Sequence, residues 1–258
     1  MIRSGPASAV LNMSTDEQMF RQYLRDGIPA FRVYSWKTPS LTYGVSQEEG
    51  RDLDPGRCRA AGVEIAGRMT GGGILFHDNE VTYSFVCAKE DIGEPSGLFV
   101  SYRKICAFLL RFYASLGLQA SFASESKDFY LRSAPSVFCS ASHEKYDILI
   151  NGKKIGGNAQ KRARQAIFQH GSIPISIDWK PALKCLDALP ADIALRVTTL
   201  SQEMKVVPEK NILEQSLIAA FRQEFNVLFA DALLNPLRQE FNVLFADALL
   251  NPLGGIAL

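Results

Sequence analysis

The stretch GRMTGGGILFHDNEVTYSF, residues 67–85, sets three consecutive glycines between a basic residue and a His-Asp pair, then begins a strand-like run. Glycine loses more backbone freedom on ordering than any other residue, so three together need a structural reason. The run leads into a strand and not a helix, which argues against both a Walker loop and a dinucleotide fingerprint. Two readings stay open. The bare N–H groups of Gly71, Gly72 and Gly73 face a carbonyl or phosphate beside the fork-shaped cation Arg68, or the run is a tight turn with its bulk removed. Gly73-Ile-Leu-Phe76 and Val81 to Cys87 read as strands, with the polar His77-Asp-Asn-Glu80 as their hairpin turn.

Working outward, Ser14-Thr-Asp-Glu17 has the form of a capping box at a helix start, followed by apolar Met19, Phe20 and Tyr23. Ala30 to Trp36 alternates as a strand, Leu41 to Val45 resumes strand character, and Val63 to Ala66 is a short β-branched piece. Residues 97–117 carry Phe99, Ile105, Phe108, Leu109, Phe112 and Leu116 at helical spacing, with Gly117 closing the helix. Tyr146 to Ile155 reads as a hairpin around Asn151-Gly152, a strong two-residue turn signal. Ala166 to His170 and Ser172 to Ile177 continue as strands, and the pattern after Trp179 is helical to the end. Strands and helices mix without regular βαβ alternation. The expected class is therefore α+β, with mixed or antiparallel sheets flanked by helices.

In the tail, RQEFNVLFADALLNPL at residues 222–237 recurs identically at 238–253. Each copy is an amphipathic helix pattern ending at Asn-Pro, and the period is too short for a solenoid. The simplest account is a tandem duplication. The expected organisation is a main domain over residues 1–200 and a helical C-terminal extension over 201–258.

The net charge is +1, which gives no electrostatic footprint for nucleic acid. Five cysteines without a CxxC pair argue against a disulfide framework and a zinc site, and for a reducing compartment. His77, His143 and His170 lack metal-ligand spacing, so no metal site is expected. No stretch has the roughly 18 consecutive apolar residues a membrane span needs, so the expectation is a soluble cytoplasmic protein.

Three further groups of residues bear on chemistry. Asn151-Gly-Lys-Lys-Ile-Gly-Gly-Asn-Ala-Gln160 brings Lys154 into a second glycine pair, Gly156-Gly157. With the first glycine run it would build two side-chain-free walls, suited to a slim apolar ligand beside a desolvated amine. Cys139 reads by composition as a small buried hydrophobe. Its Ser, Ala, Pro and His flanks read as loop, where a nearby lysine would favour the thiolate. Lys161, Arg162 and Arg164 form a basic cluster, either a solvated face or a docking patch for an acidic carrier.

Together these residues resemble a known superfamily. Arg68-Met-Thr-Gly-Gly-Gly-Ile-Leu-Phe-His-Asp78 is similar to the Arg…Thr-Gly-Gly-Gly…His-Asp motif of the lipoate/biotin protein ligases and octanoyltransferases. Gly152-Lys-Lys-Ile-Gly-Gly-Asn-Ala-Gln160 and Gln169-His-Gly-Ser-Ile173 resemble two more of its segments, and Asp16-Glu17 and Gly44-Val-Ser-Gln47 fit upstream. The resemblance spans about residues 10–200 in order. It implies a biotin/lipoate ligase-like catalytic domain with a bent tunnel for an eight-carbon acyl chain. Arg68, Thr70, Gly71, Gly72, Gly73, His77, Gly156, Gly157, Asn158 and Ala159 would bind the substrate. The acceptor would be a lysine on a lipoyl carrier domain, of a glycine cleavage H protein or a dehydrogenase E2 subunit.

Two branches of the superfamily differ in chemistry. Lipoate–protein ligases use ATP and magnesium and need no cysteine. LipM-type octanoyltransferases take octanoate from acyl carrier protein through a cysteine 15 residues before the motif lysine, with a Tyr-Asp/Glu strand between. Cys139 precedes Lys154 by 15 residues, and Tyr146-Asp147 lies between them. The resemblance therefore implies Cys139 as nucleophile, Lys154 as its activating partner, and no cofactor. An ATP-dependent ligase, a cysteine-dependent amidotransferase between carrier proteins, and a non-catalytic acyl- or lipoyl-domain-binding module are the alternatives.

Overall fold

The structure is a computed structural model, and it describes residues 1–47, 53–93, 97–126, 144–186 and 193–226. The N-terminal part contains β1 (Ile2–Ala7), α1 (Ala9–Asp26), β2 (Ala30–Trp36), β3 (Ser40–Tyr43), α2 (Pro55–Ala60), β4 (Glu64–Gly67), β5 (Leu75–His77) and β6 (Asn79–Cys87). Then follow α3 (Leu98–Ser115), β7 (Ala120–Phe122), β8 (Ile148–Ile150), β9 (Lys153–Ile155), β10 (Asn158–Arg162) and β11 (Ile167–Ser176). The last elements are α4 (Lys180–Cys185), α5 (Ile193–Arg196), β12 (Val197–Thr198), α6 (Leu200–Glu203) and α7 (Lys210–Phe225). Among the described residues no helix is long and apolar enough to cross a membrane.

The strands of the described residues form three sheets. The largest runs β1-β2-β6-β11-β10, with only β1 and β2 parallel. The others run β12-β9-β8-β7 and β4-β3-β5. The class is α+β, as the mixed pattern implied.

The three inner strands of the large sheet, β2, β6 and β11, are buried on both faces, and period-two alternation sorts their residues. On one face, Phe31 and Val33 of β2, Val81, Tyr83 and Phe85 of β6, and Ile167 and Ile173 of β11 join an apolar core with α3 and α7. Phe221 of α7 stacks on Phe31 at a ring-centroid distance of 3.9 Å. On α7, Leu213, Leu217 and Phe221 recur every fourth residue, which makes the one apolar stripe this packing needs. The opposite face, toward α1, is polar: Arg32 and Tyr34, Glu80, Thr82 and Ser84, and His170 and Ser172 are all buried there. Buried polar groups are costly unless paired, so this face marks the site.

Four local expectations are corrected. Ser14 does not start α1. Its hydroxyl donates back to the Leu11 carbonyl within the helix, while Ser8 caps Leu11 N–H and the Glu64 carboxylate takes Ala9 N–H at 2.6 Å. His77-Asp-Asn-Glu80 is not a hairpin turn. β5 pairs with β3, β6 pairs with β2 and β11, and the chain switches sheets at Asp78. His77 and Glu80 are polar but buried, because they pair with each other. Residues 166–177 are not two strands: β11 is continuous through Gly171, where a Cβ would sit 2.1 Å from Asn158 Oδ1 and 2.7 Å from the Tyr83 ring. The stretch after Trp179 is not wholly helical, since β12 pairs with β9. The Asn151-Gly152 hairpin forms as read, with φ of 50° and 73° at its two turn residues.

Candidate active site

A cleft opens on the polar face, enclosing about 380 Å³ including its mouth. Met13 of α1, Tyr34 and Trp36 of β2, Leu75 of β5 and Ala159 of β10 give it apolar walls. Thr42, Arg68, His77, Thr82, Gly157, Asn158, His170, Gly171 and Ser172 complete it. Arg68, His77, Gly157, Asn158 and Ala159 of the expected set therefore line one cavity. Thr70, Gly71, Gly72, Gly73, Lys154 and Gly156 stand outside that lining.

The glycine run folds around Arg68. The guanidinium donates to the carbonyls of Thr42 at 2.8 Å, Gly71 at 3.1 Å and Gly73 at 2.5 Å, and to Thr42 Oγ1 at 3.2 Å. Gly72 takes a φ of 95°, a region closed to most side chains. Its carbonyl oxygen would lie 2.3 Å from a Cβ on Gly44, so two backbones touch there. A Cβ on Gly71 would meet nothing within 4 Å. The missing bulk thus serves close backbone packing at Gly44–Gly72 and leaves open space at Gly71.

Behind the cleft, Asp16 is the hub of the buried polar face. Its Oδ1 accepts from Arg32 Nη1 and Ser84 Oγ, each at 2.8 Å. Its Oδ2 accepts from Tyr34 OH at 2.9 Å and lies 3.1 Å from His170 Nδ1. Burial opposes the charge of Asp16. The hydrogen bond from His170, the charge of Arg32 and the Ser84 bond together outweigh burial and hold the carboxyl below its ordinary range. Burial lowers the pKa of His170 in spite of its bond to Asp16, with Arg68 and His77 adding to the shift. The ring is then neutral near pH 7. Asp16 only accepts, so Nδ1 carries the proton and Nε2 accepts from Thr70 Oγ1 at 2.8 Å.

A second cluster repeats this logic. Glu80 Oε1 accepts from Trp36 Nε1 at 2.9 Å and Thr82 Oγ1 at 2.6 Å, and lies 2.8 Å from His77 Nδ1. His77 Nε2 meets Thr42 Oγ1 at 2.8 Å, and its ring stacks on Trp36 at 3.9 Å. The cleft wall is therefore a set of rings whose orientations are fixed from behind.

On the other side, Lys154 lies on β9 between β8 and β12, and is buried. Its Nζ pairs with Asp147 Oδ2 at 2.8 Å, with both side chains 2% exposed. The same carboxylate oxygen takes the N–H of Glu144 at 2.7 Å. Gly156 has a φ of 73°, and a Cβ there would lie 1.9 Å from the Ser172 carbonyl oxygen. Gly157 N–H donates to Ser172 Oγ at 3.3 Å, a long bond. Cys139 lies outside the described residues, as does the tail from residue 227, with all of the second repeat copy.

Of the basic cluster, Arg162 donates to Ser101 Oγ at 2.8 Å, and Lys161 Nζ sits 5.7 Å from the Phe20 ring centre. Sequence reasoning missed the roles of Asp16, Glu80 and Trp36. Asp16 carried a signal: a carboxylate in mid-helix one turn from Asn12 and Met19, on the buried side of an amphipathic pattern. Glu80 sits among alternating apolar residues, a position where a charge must find a partner.

A family model for the lipoyl protein ligase A/B catalytic domain matches residues 8–226. The octanoyltransferase LipM of Kyrpidia tusciae is 36% identical over 195 residues, covering 74% of this chain and 71% of the relative. A lipoate-protein ligase A bound with ATP superposes with a TM-score of 0.73 at 20% identity, covering 95% of this chain and 92% of that one. A bi-partite lipoate protein ligase of Thermoplasma acidophilum, studied with its E2 lipoyl domain, gives a TM-score of 0.73 at 19% identity, covering 95% and 91%. At those identities the two structures speak for the fold alone. The family match and the relative agree: the chain belongs to the lipoyl protein ligase A/B catalytic-domain family.

Proposed function

We propose that this chain is an octanoyltransferase of lipoate biosynthesis, working in the cytoplasm without ATP, magnesium or any other cofactor. It takes octanoate from acyl carrier protein and delivers it to a lysine of a lipoyl carrier domain, on a glycine cleavage H protein or a dehydrogenase E2 subunit. What carries the reading is the likeness, across most of the chain, to a relative named octanoyltransferase LipM. The cleft supports it: its apolar walls suit a thin acyl chain, and Arg68, Gly157 and Asn158 give it polar edges. Among the described residues, the buried free thiols Cys58, Cys87, Cys106 and Cys185 fit a reducing compartment.

The chemistry runs through Cys139. Its thiolate adds to the thioester carbonyl carbon, the tetrahedral intermediate expels the pantetheine thiolate, and that sulfur takes up the proton Cys139 gave up. Both nucleophile and leaving group are thiols, so the exchange is nearly balanced. The carrier lysine, as a neutral amine, then adds to the acyl-enzyme. The C–S bond breaks, the amine proton passes to the Cys139 sulfur, and a stable amide makes the transfer downhill. Lys154 favours the thiolate by its charge, shared with Asp147 in a pair shielded from solvent. Asp147 fixes where that charge stands. Proximity of thiol, acyl chain and amine supplies much of the remaining acceleration.

Mass spectrometry after incubation with octanoyl-acyl carrier protein tests this. The expected result is a gain of one octanoyl group on Cys139, lost in Cys139→Ser, with onward transfer to a lipoyl domain in the absence of ATP. Transfer that survives Cys139→Ser and requires free acid with ATP would establish a ligase instead.

A further inference from the structure

Thr70 belongs to the glycine loop yet does not line the cleft. It is 1% exposed, and its hydroxyl is tied to His170 across the top of the large sheet. Its carbonyl takes the N–H of Val45, so it fastens two loops at once. His170, in contrast, does line the cleft. The imidazole therefore lines the cavity and also holds the Arg68–Gly73 loop. What it offers Thr70 depends on what holds its far nitrogen.

We propose that Asp16 is a positioning residue for acyl binding: its carboxylate fixes His170 as the Nδ1–H tautomer, so that Nε2 accepts from Thr70 and pins the Arg68–Gly73 loop at one height over the cleft. This rests on the acyl-transfer reading of the same cavity. The carboxylate has four hydrogen-bonding neighbours, Arg32, Ser84, Tyr34 and His170, and so has no free rotation. The other charged and titratable groups facing the ring are Arg68 from the loop and His77 from β5. Arg68 has no acceptor, and both His77 ring nitrogens are held by Glu80 and Thr42, so neither replaces Asp16. Arg32 is locked in the same hub, its Nη2 donating to Asn12 Oδ1 at 2.8 Å and its Nε to Ser4 Oγ at 2.8 Å.

Asp16→Asn inverts the polarity of the relay. Arg32 still demands an acceptor, so the amide oxygen stays on its side. The NH2 group then faces His170 Nδ1, which must lose its proton to Nε2. Thr70 would now have to accept where it donated.

The test has two readouts on full-length protein. The first is 15N NMR of the His170 ring. Wild type is expected to show protonated Nδ1, and Asp16→Asn protonated Nε2. The second is octanoyl transfer kinetics for Thr70→Val, Thr70→Ser and Asp16→Asn. Removing one neutral hydrogen bond is worth about a fivefold change. Thr70→Val and Asp16→Asn are each expected to raise KM for the octanoyl donor by that factor with kcat little changed, and Thr70→Ser to restore it. Thr70→Val leaves the Asp16 hub intact, so it remains informative if Asp16→Asn fails to fold. An Nε2–H ring in wild type, or an unmoved KM in Thr70→Val, overturns the proposal. Wild type that transfers no octanoyl group removes the functional reading, while the ring tautomer is still read independently.

Discussion

Replacing Gly156 by alanine imposes two separable errors on the fold, and three other glycines allow them to be measured apart. At Gly156, φ is +73° and a Cβ would lie 1.9 Å from the Ser172 carbonyl oxygen. At Gly44 the contact acts alone: φ lies outside the left-handed range, and the Cβ would lie 2.3 Å from Gly72 O and 2.9 Å from Gly71 C. At Gly62 the backbone acts alone, with φ +70° and nothing within 4 Å. At Gly71 neither acts. A left-handed alanine costs about 1 kcal/mol, and forcing a methyl group against packed backbone costs about 1–3 kcal/mol. The expected losses are then near zero for Gly71→Ala, about 1 kcal/mol for Gly62→Ala, about 2 for Gly44→Ala and about 3 for Gly156→Ala. In a domain of this size each kcal/mol moves Tm by about 2–4 °C, so Gly156→Ala should melt roughly 10 °C below wild type. Circular dichroism melts with urea midpoints measure the series. Gly71→Ala falling as far as Gly44→Ala, or Gly156→Ala melting with the wild type, would refute the account of what these glycines are for.

Lys154→Met strands the Asp147 carboxylate, 2% exposed, without its cation, and should cost about 3–5 kcal/mol in urea unfolding. The double replacement with Asp147→Leu should recover much of that loss, and equal losses in both would show that pairing is not what keeps Lys154 buried. Stability should also fall in mild acid. The folded pKa of His170 lies below its ordinary 6.5, so its contribution is complete above about pH 6.5 and is lost as pH falls through the lowered value. Asp16, held below its ordinary 3.8, adds a second loss only in stronger acid. Urea midpoints across pH 4–8 check this, and a midpoint independent of pH there would contradict it. Phe221→Ala should cost about 3–5 kcal/mol, because its ring fills the core against Phe31, Phe85 and Phe108. A change within the ±0.5 kcal/mol of a surface site would mean α7 does not pack there.

Much of the fold was legible because it rests on local periodicity. Ala30 to Trp36, the helix over 97–117 and the Asn151-Gly152 hairpin all announce themselves through side-chain alternation or turn chemistry. Two of the errors share one physical cause, which is polarity taken as a sign of exposure. Ser14 to Glu17 and His77 to Glu80 looked like a helix start and a turn because they are hydrophilic. Asp16, His77 and Glu80 are instead buried, each satisfied by partners the sequence does not place beside it. β12 escaped notice because two residues are too few to show a period.

The same cause divides the candidate site. Residues that reach the cleft by backbone, Gly157 to Ala159, could be found from a local motif because glycine and small residues are a local requirement. The pairings behind the cleft could not. Asp16 meets His170 across 154 positions, and Thr70 meets His170 across 100. Such pairs form only because α1 and the glycine loop are both brought against β11. Their energetics then reverse the usual inference: an isolated buried carboxylate would be protonated, yet Asp16 is held below its ordinary range because burial is outweighed by its donors. If that balance is right, no single donor is decisive. Tyr34→Phe, which removes one donor and keeps the ring, should leave Asp16 ionised and the His170 tautomer unchanged, whereas Arg32→Met, which removes the cation, should raise the Asp16 pKa and weaken the hold on the ring. Carboxyl 13C shifts followed through a pH titration separate the two cases, and a large upward shift in Tyr34→Phe would show that the hydroxyl, and not the cation with its companions, sets the state of the hub.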